Sequence, residues 1–203
     1  MTEQDYEKLL NIKTMGDQKV FYDSLHYHRY EPTSYKWLNV LCENYDFNSK
    51  DTVVDFGCGK GRLNFYLNYF FDCAVTGIEM NNYFIELCND NKTSYLKKTK
   101  KSSKNINFVN CLAQEYKVDK KDNKFYFFNP FSSQIFISVI ENILDSVYEN
   151  PRTVDLILYY SEDDYIYYLE NYTCFELRKE IPMPILYEKD HRHKYVIYRM
   201  EFS

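Results

Sequence analysis

Short apolar runs and helical stripes alternate along most of the chain. Thr52-Val53-Val54-Asp55-Phe56 is a β-branched and aromatic run, the pattern of a buried strand. Apolar residues then return at helical spacing at Leu63, Phe65, Tyr66, Leu67, Phe70 and Phe71. Ala74-Val75-Thr76-Gly77-Ile78-Glu79 predicts a second strand, and Tyr83, Phe84, Leu87 and Cys88 the buried side of a second helix. Ile106-Asn107-Phe108-Val109-Asn110-Cys111 alternates as a third strand. Phe125-Tyr126-Phe127-Phe128 is continuous, as the centre of a parallel sheet requires. A helix on Ile135, Phe136, Val139, Ile140, Ile143, Leu144 and Val147 stops at Pro151, followed by a fifth strand, Val154-Asp155-Leu156-Ile157-Leu158-Tyr159-Tyr160. A short helix over 163–172 carries Tyr165, Ile166, Tyr168 and Leu169, aromatics read as core. Segments 175–181 and 195–200 then alternate with no helix between them, which predicts an antiparallel hairpin.

Ahead of the first strand, residues 2–14 read as an amphipathic helix on Tyr6, Leu9 and Leu10, ended or kinked by Gly16. A helix capped by Thr33 or Ser34 carries Trp37, Leu38, Val40 and Leu41 and ends near Asn48. No shift in composition separates these helices from the strands and helices after them. Residues 1–50 therefore read as a helical cap on the domain formed by 51–203, in one structural unit. Strands alternating with helices imply an α/β fold with helices on both faces of a mostly parallel sheet.

Composition sharpens this picture at few points. Glycine is scarce, and three of the 5 sit in one turn, at 57, 59 and 61. Aromatic residues reach 19 %, a bias that weakens any argument from a tyrosine cluster. A net charge of −5, from 25 basic and 30 acidic side chains, argues against a broad electrostatic grip on nucleic acid. The 6 cysteines form no Cys-x-x-Cys pair and no zinc spacing. With no leader-like start and no long apolar run, a reduced, cytoplasmic protein without a membrane span is expected. The basic stretch 97–104 reads as a solvated loop, and His191-Arg192-His193 as a polar loop tip, not a metal site.

The chemistry lies where the first strand gives way to its helix. Asp55 stands near the carboxyl end of that strand, where an open parallel sheet presents its ligand crevice. Gly57, Gly59 and Gly61 let the backbone turn tightly and a ligand touch the main chain, and the helix behind them offers free N–H groups. A dinucleotide fingerprint would place its third glycine at position 62, which is Arg62, and a phosphate-binding loop would follow Lys60 with Ser or Thr. An acid two residues before the first glycine suits a cationic ligand better than a pyrophosphate. Glu79, 22 residues after Gly57, stands where an acid grips ribose hydroxyls in this kind of fold.

Asp55-Phe56-Gly57-Cys58-Gly59-Lys60-Gly61 resembles motif I of the class I S-adenosylmethionine (SAM)-dependent methyltransferases, and with Arg62 it is similar to a bacterial branch of that family. The resemblance extends from Tyr30 onward and implies a Rossmann-like, seven-stranded, mostly parallel sheet closed by an antiparallel C-terminal hairpin. It also implies SAM as cofactor and S-adenosyl-L-homocysteine as product. On this resemblance Asp55, Gly57, Cys58, Gly59 and Gly61 wrap the methionine part, while Thr33, Lys60 or Arg62 meets its carboxylate. Glu79 holds the ribose, Met80 borders the adenine, and Gln114 or Glu115 accepts from its amino group. Asn129-Pro130-Phe131 resembles a shortened form of the Asn-Pro-Pro-Tyr/Phe signature of amino-group methyltransferases. This makes Asn129 the catalytic candidate, with Pro130 beside the cofactor and Phe131 and Tyr30 walling the pocket. The expected reaction is methyl transfer to a nitrogen of a small molecule or protein side chain, with nucleic acid disfavoured. A SAM-binding module without catalysis and a nicotinamide oxidoreductase are the alternatives.

Overall fold

The computed structural model describes residues 1–16 and 31–202. The strands are β1 (Thr52–Phe56), β2 (Ala74–Glu79), β3 (Ile106–Asn110), β4 (Lys124–Phe128), β5 (Val154–Tyr159), β6 (Glu176–Pro182) and β7 (Lys194–Met200). They form one sheet in the order β3-β2-β1-β4-β5-β7-β6. β1 to β5 pair in parallel, and β7 inserts antiparallel between β5 and β6. The terminal hairpin is the one expected from the two consecutive alternating segments.

The helices are α1 (Glu3–Leu10), α2 (Tyr35–Asn44), α3 (Arg62–Phe71), α4 (Asn82–Thr99), α5 (Ser133–Glu149) and α6 (Asp163–Tyr172). Because strand side chains alternate, each strand feeds two cores. Val53, Val75, Tyr126 and Ile157 pack with Tyr6, Leu38 and Phe65 of α1, α2 and α3. Val54, Phe56, Phe127 and Leu156 pack with Phe136, Ile140 and Tyr165 of α5 and α6.

Two N-terminal boundaries differ from the sequence expectation. α1 ends at Leu10, not near Thr14, because Asn11 turns left-handed (φ 55°) and its N–H closes on the carbonyls of Glu7 and Lys8. α2 ends at Asn44, short of Asn48, and its cap is Ser34, whose hydroxyl accepts from the Trp37 N–H at 3.4 Å. Thr33 does not cap; it is buried, with its hydroxyl 2.8 Å from that of Tyr126.

Asp155 is fully buried at the amino end of β5. Its neighbours in register are Lys124 on β4 and Arg199 on β7. Lys124 Nζ reaches it at 2.6 Å and Arg199 Nε at 2.6 Å, and the Tyr45 hydroxyl donates to it as well. The basic stretch is also at this end. α4 starts at the carboxyl end of β2 and runs back for 18 residues, roughly 27 Å at the helical rise. Lys97 and Lys98 form its last turn, where cations suit the helix dipole, and Lys101 pairs with Asp72.

Candidate functional site

The sheet positions its candidate site at the opposite, carboxyl end. Gly57, Gly59 and Gly61 follow β1 with φ of 76°, 53° and 78°, conformations that disfavour any other residue. Gly57 has a second constraint: a Cβ there would lie 2.8 Å from the Cβ of Pro130, so only glycine lets this turn close on the loop after β4. On the other side, a Cβ on Gly77 would lie 2.6 Å from the Cys58 sulfur, so the bare backbone of β2 is where that thiol seats. Burial pushes the Cys58 thiol well above its ordinary range. Its side chain is packing, and only its backbone belongs to the turn.

The N–H groups of the turn are largely spent inward. Those of Gly57 and Cys58 donate to the Ile78 carbonyl at 2.9 and 3.1 Å, and that of Gly61 to the Cys58 carbonyl at 2.9 Å. The Gly59 N–H donates to Glu79 Oε2 at 3.1 Å. What the turn offers a ligand is the amino end of α3, whose N-cap, Gly61, brings no capping side chain.

Asp55 is 5 % exposed, and its carboxylate makes no hydrogen bond among the described residues. Burial first, and then the neighbouring Glu79 charge, push its carboxyl up to about 8. Burial also raises Glu79, against the backbone N–H groups of Asn81 (2.9 Å) and Gly59 that stabilise its ionised form. Among the described residues neither carboxylate has a salt-bridge partner. A buried and a half-buried acid side by side, with no cation partner among the described residues, are relieved by a ligand that brings positive charge and hydroxyl donors.

The remaining candidates divide. Pro130 touches the turn at Gly57, and Asn129 stands beside it in a left-handed conformation (φ 36°), its Nδ2 donating to Glu162 Oε1 at 2.9 Å. Met80 is exposed at the rim beyond β2, and its carbonyl accepts from Asn110 at 3.0 Å. Gln114 and Glu115 lie in a single 3-10 turn after β3. Gln114 is half-buried, its carbonyl held by Asn142 at 2.7 Å, while Glu115 is exposed. The Phe131 ring is buried in the core, edge-on to Phe127. Tyr30 lies outside the described residues.

Arg62 is directed away from the turn. Its guanidinium is buried over the Tyr35 ring and bonded to Glu3 (2.7 Å), the Thr14 hydroxyl (2.7 Å) and the Thr33 carbonyl (3.2 Å), with Glu7 at 3.7 Å. Lys60 Nζ donates to the carbonyls of Met15 and Gly16, both at 3.2 Å. The two basic residues of the turn fasten segments 14–16 and 33 across it. Arg62, one of the three candidates for a ligand carboxylate beside Thr33 and Lys60, has its guanidinium held by this internal network.

Sequence reasoning missed a polar network at the carboxyl end of β5. Tyr160, also left-handed (φ 54°), bonds through its hydroxyl to Asp190 at 2.7 Å, and Arg192 stacks on its ring. The segment 191–193 is therefore more than a polar tip. Among the described residues no three metal-ligating side chains cluster. A cleft of about 350 Å³ opens between Phe131, Ser132 and Ser133 on one side and Glu162, Asp163 and Asp164 on the other. The available signal was an acid, Glu162, just past a strand end.

A family model described as a methyltransferase domain matches residues 33–158. No curated protein matches the chain in sequence. Among solved structures, the chain is similar to an RNA methyltransferase from Salinibacter ruber in complex with S-adenosyl-L-homocysteine (TM-score 0.54, 13 % identity, 83 % of this chain and 92 % of that one). It is also similar to a SAM-dependent methyltransferase from Thiobacillus denitrificans in complex with the same compound (0.57, 11 %, 85 % and 93 %). A third is precorrin-6y C5,15-methyltransferase from Geobacter metallireducens (0.56, 15 %, 84 % and 90 %). At these identities what is shared is the fold. The net negative charge does not set RNA aside as an acceptor, since an RNA methyltransferase has this fold.

Proposed function

The chain belongs to the methyltransferase domain family, and from that premise we propose that it binds SAM at the turn after β1 and transfers the methyl group to a nitrogen of its acceptor. The observation that carries this is the pair of carboxylates, buried Asp55 and half-buried Glu79, set against the glycine turn without a cation partner among the described residues. A sulfonium nucleoside with an α-ammonium group has the positive charge and the vicinal hydroxyls that such a pair accepts. When bound, it supplies a methyl group already activated for displacement.

The chain's own residues then bind and orient. Asp55 faces the cationic methionine part, and Glu79, anchored by the Gly59 and Asn81 N–H groups, keeps lone pairs for ribose hydroxyls. The uncapped amino end of α3 takes the carboxylate in place of Arg62. Met80 and Gln114 border the adenine. Asn129 and the carbonyls around Pro130 accept hydrogen bonds from the N–H groups of the acceptor, so that a neutral nitrogen keeps its lone pair for attack. The main contribution of the site is alignment, worth up to several kcal/mol.

Calorimetry with SAM and with NADH tests the cofactor, and transfer of labelled methyl from SAM into protein, RNA and small-molecule pools of cell extract tests the reaction. Binding of SAM but not NADH, with label in one pool, is expected. Binding of NADH alone would overturn the assignment. Binding of SAM with no label in any pool would reduce the protein to a SAM-binding module.

A further inference from the structure

We propose that Glu162 is a positioning residue that turns the Asn129 amide so that its oxygen, not its nitrogen, faces the methyl acceptor; this rests on the acceptor-binding role proposed for Asn129. The two ends of an amide are nearly the same size, and a half-turn exchanges them. Only one orientation accepts an N–H from an acceptor amine, so something must select it.

A carboxylate makes that selection because it only accepts hydrogen bonds. Glu162 Oε1 takes the Asn129 Nδ2 at 2.9 Å, which turns the amide oxygen away from Glu162. Arg192 Nη1 lies 3.4 Å from the same Oε1, so two donors converge on one oxygen. Arg192 is itself fixed, by Asp190 Oδ2 at 2.9 Å, by the Tyr160 hydroxyl at 2.7 Å and by stacking on the Tyr160 ring at 4.4 Å. Behind the Asn129 amide there is thus a chain of groups braced on the ends of two adjacent parallel strands. At both ends the backbone is left-handed at a non-glycine residue, a costly conformation that marks positions where side-chain direction is tightly set.

The ordinary use of an acid at this position is to cap a helix. Glu162 is the N-cap of α6, yet its side chain makes no capping hydrogen bond there. It reaches instead across 33 residues of sequence to Asn129.

The test needs no knowledge of the acceptor. Sinefungin is a SAM analogue with an amine-bearing carbon in place of the methyl-bearing sulfonium, so its amine stands at the methyl position and turns N–H donors toward the side from which the acceptor arrives. The full chain, Glu162→Leu and Glu162→Gln are titrated with sinefungin and with S-adenosyl-L-homocysteine. Wild type is expected to prefer sinefungin by about tenfold, the size of one charge-assisted hydrogen bond. Glu162→Leu should lose that preference while keeping its affinity for S-adenosyl-L-homocysteine. Glu162→Gln, whose oxygen can receive the same two donors, should retain most of it. A merely structural role would move both ligands together. A preference that survives in Glu162→Leu, no preference in wild type, or equal loss of both ligands in Glu162→Leu overturns the proposal. Failure of wild type to bind either compound overturns the cofactor assignment, and this inference with it.

Discussion

Asp55 and Asp155 are buried aspartates on the same face of one sheet, and they have opposite fates. Asp155 lies between Lys124 and Arg199 in register; Asp55 lies between Gly77 and Tyr126. Burial alone would raise both carboxyls. At Asp155 the hydrogen bonds and charges of Arg199 and Lys124 more than offset it and hold the carboxyl below its ordinary range. At Asp55 no described residue offsets burial, and Glu79 adds to it. The amino end of the sheet is electrostatically closed, and the carboxyl end is left for a ligand to complete. The ion cluster holds Asp155 charged in the fold, whereas an acid with no cation partner among the described residues destabilises the cofactor-free protein and favours binding of a cation.

The largest effect is expected at the closed end. Asp155→Ala leaves Lys124 and Arg199 without their partner and should cost about 3 kcal/mol in urea unfolding, the low end for a broken buried pair because Arg199 is one-third exposed. A loss under about 1 kcal/mol would make the cluster incidental. The native value of Asp155 is depressed, so its stabilisation is present above the ordinary 3.8 and is lost as pH falls through the native value.

Asp55→Asn should do the reverse. The native value of Asp55 is raised, so its contribution is full below 3.8 and lost as pH rises through about 8. Removing the charge should therefore stabilise the cofactor-free protein by about 1–3 kcal/mol at pH 8, read from the urea midpoint, with a gain about a third as large at pH 5. Its affinity for SAM should fall by about a hundredfold. Destabilisation at pH 8 would break the contrast between the two acids. Glu79→Gln should be milder, about a tenfold loss of SAM affinity, because its one amide oxygen can still accept from the Gly59 or the Asn81 N–H, which bond different oxygens of Glu79, and can still accept from a ribose hydroxyl.

Much of this was legible in the sequence, for reasons that differ by element. The core strands and α3, α4 and α5 announce themselves by periodicity, and the closing hairpin by two alternating segments with no helix between. Asp55 and Glu79 were legible because each interrupts an apolar strand at its carboxyl end. The ends of α1 and α2 were not, because a left-handed Asn11 and the cap choice between Thr33 and Ser34 depend on local geometry and on Tyr126 far along the chain. Arg62 and Phe131 sit inside motifs that suggest ligand contact, yet their side chains serve the N-terminal segment and the core. The bond from Asn129 to Glu162 and the stacking of Arg192 on Tyr160 join residues about 30 apart, and no spacing rule reaches them. Gly57 and Gly61 read as room for a ligand, while a Cβ at either would first strike Pro130 or Phe108 of the protein itself.

The most direct test of the open carboxyl end is calorimetric titration of SAM into wild type and Asp55→Asn between pH 6 and 9. Wild-type affinity should climb with pH, approaching tenfold per unit below about 8, with a proton released on binding and a plateau above. Asp55→Asn should bind weakly and lack that climb. Equal affinity in the two proteins, independent of pH, would contradict the claim that an unpaired buried acid awaits a cationic ligand there.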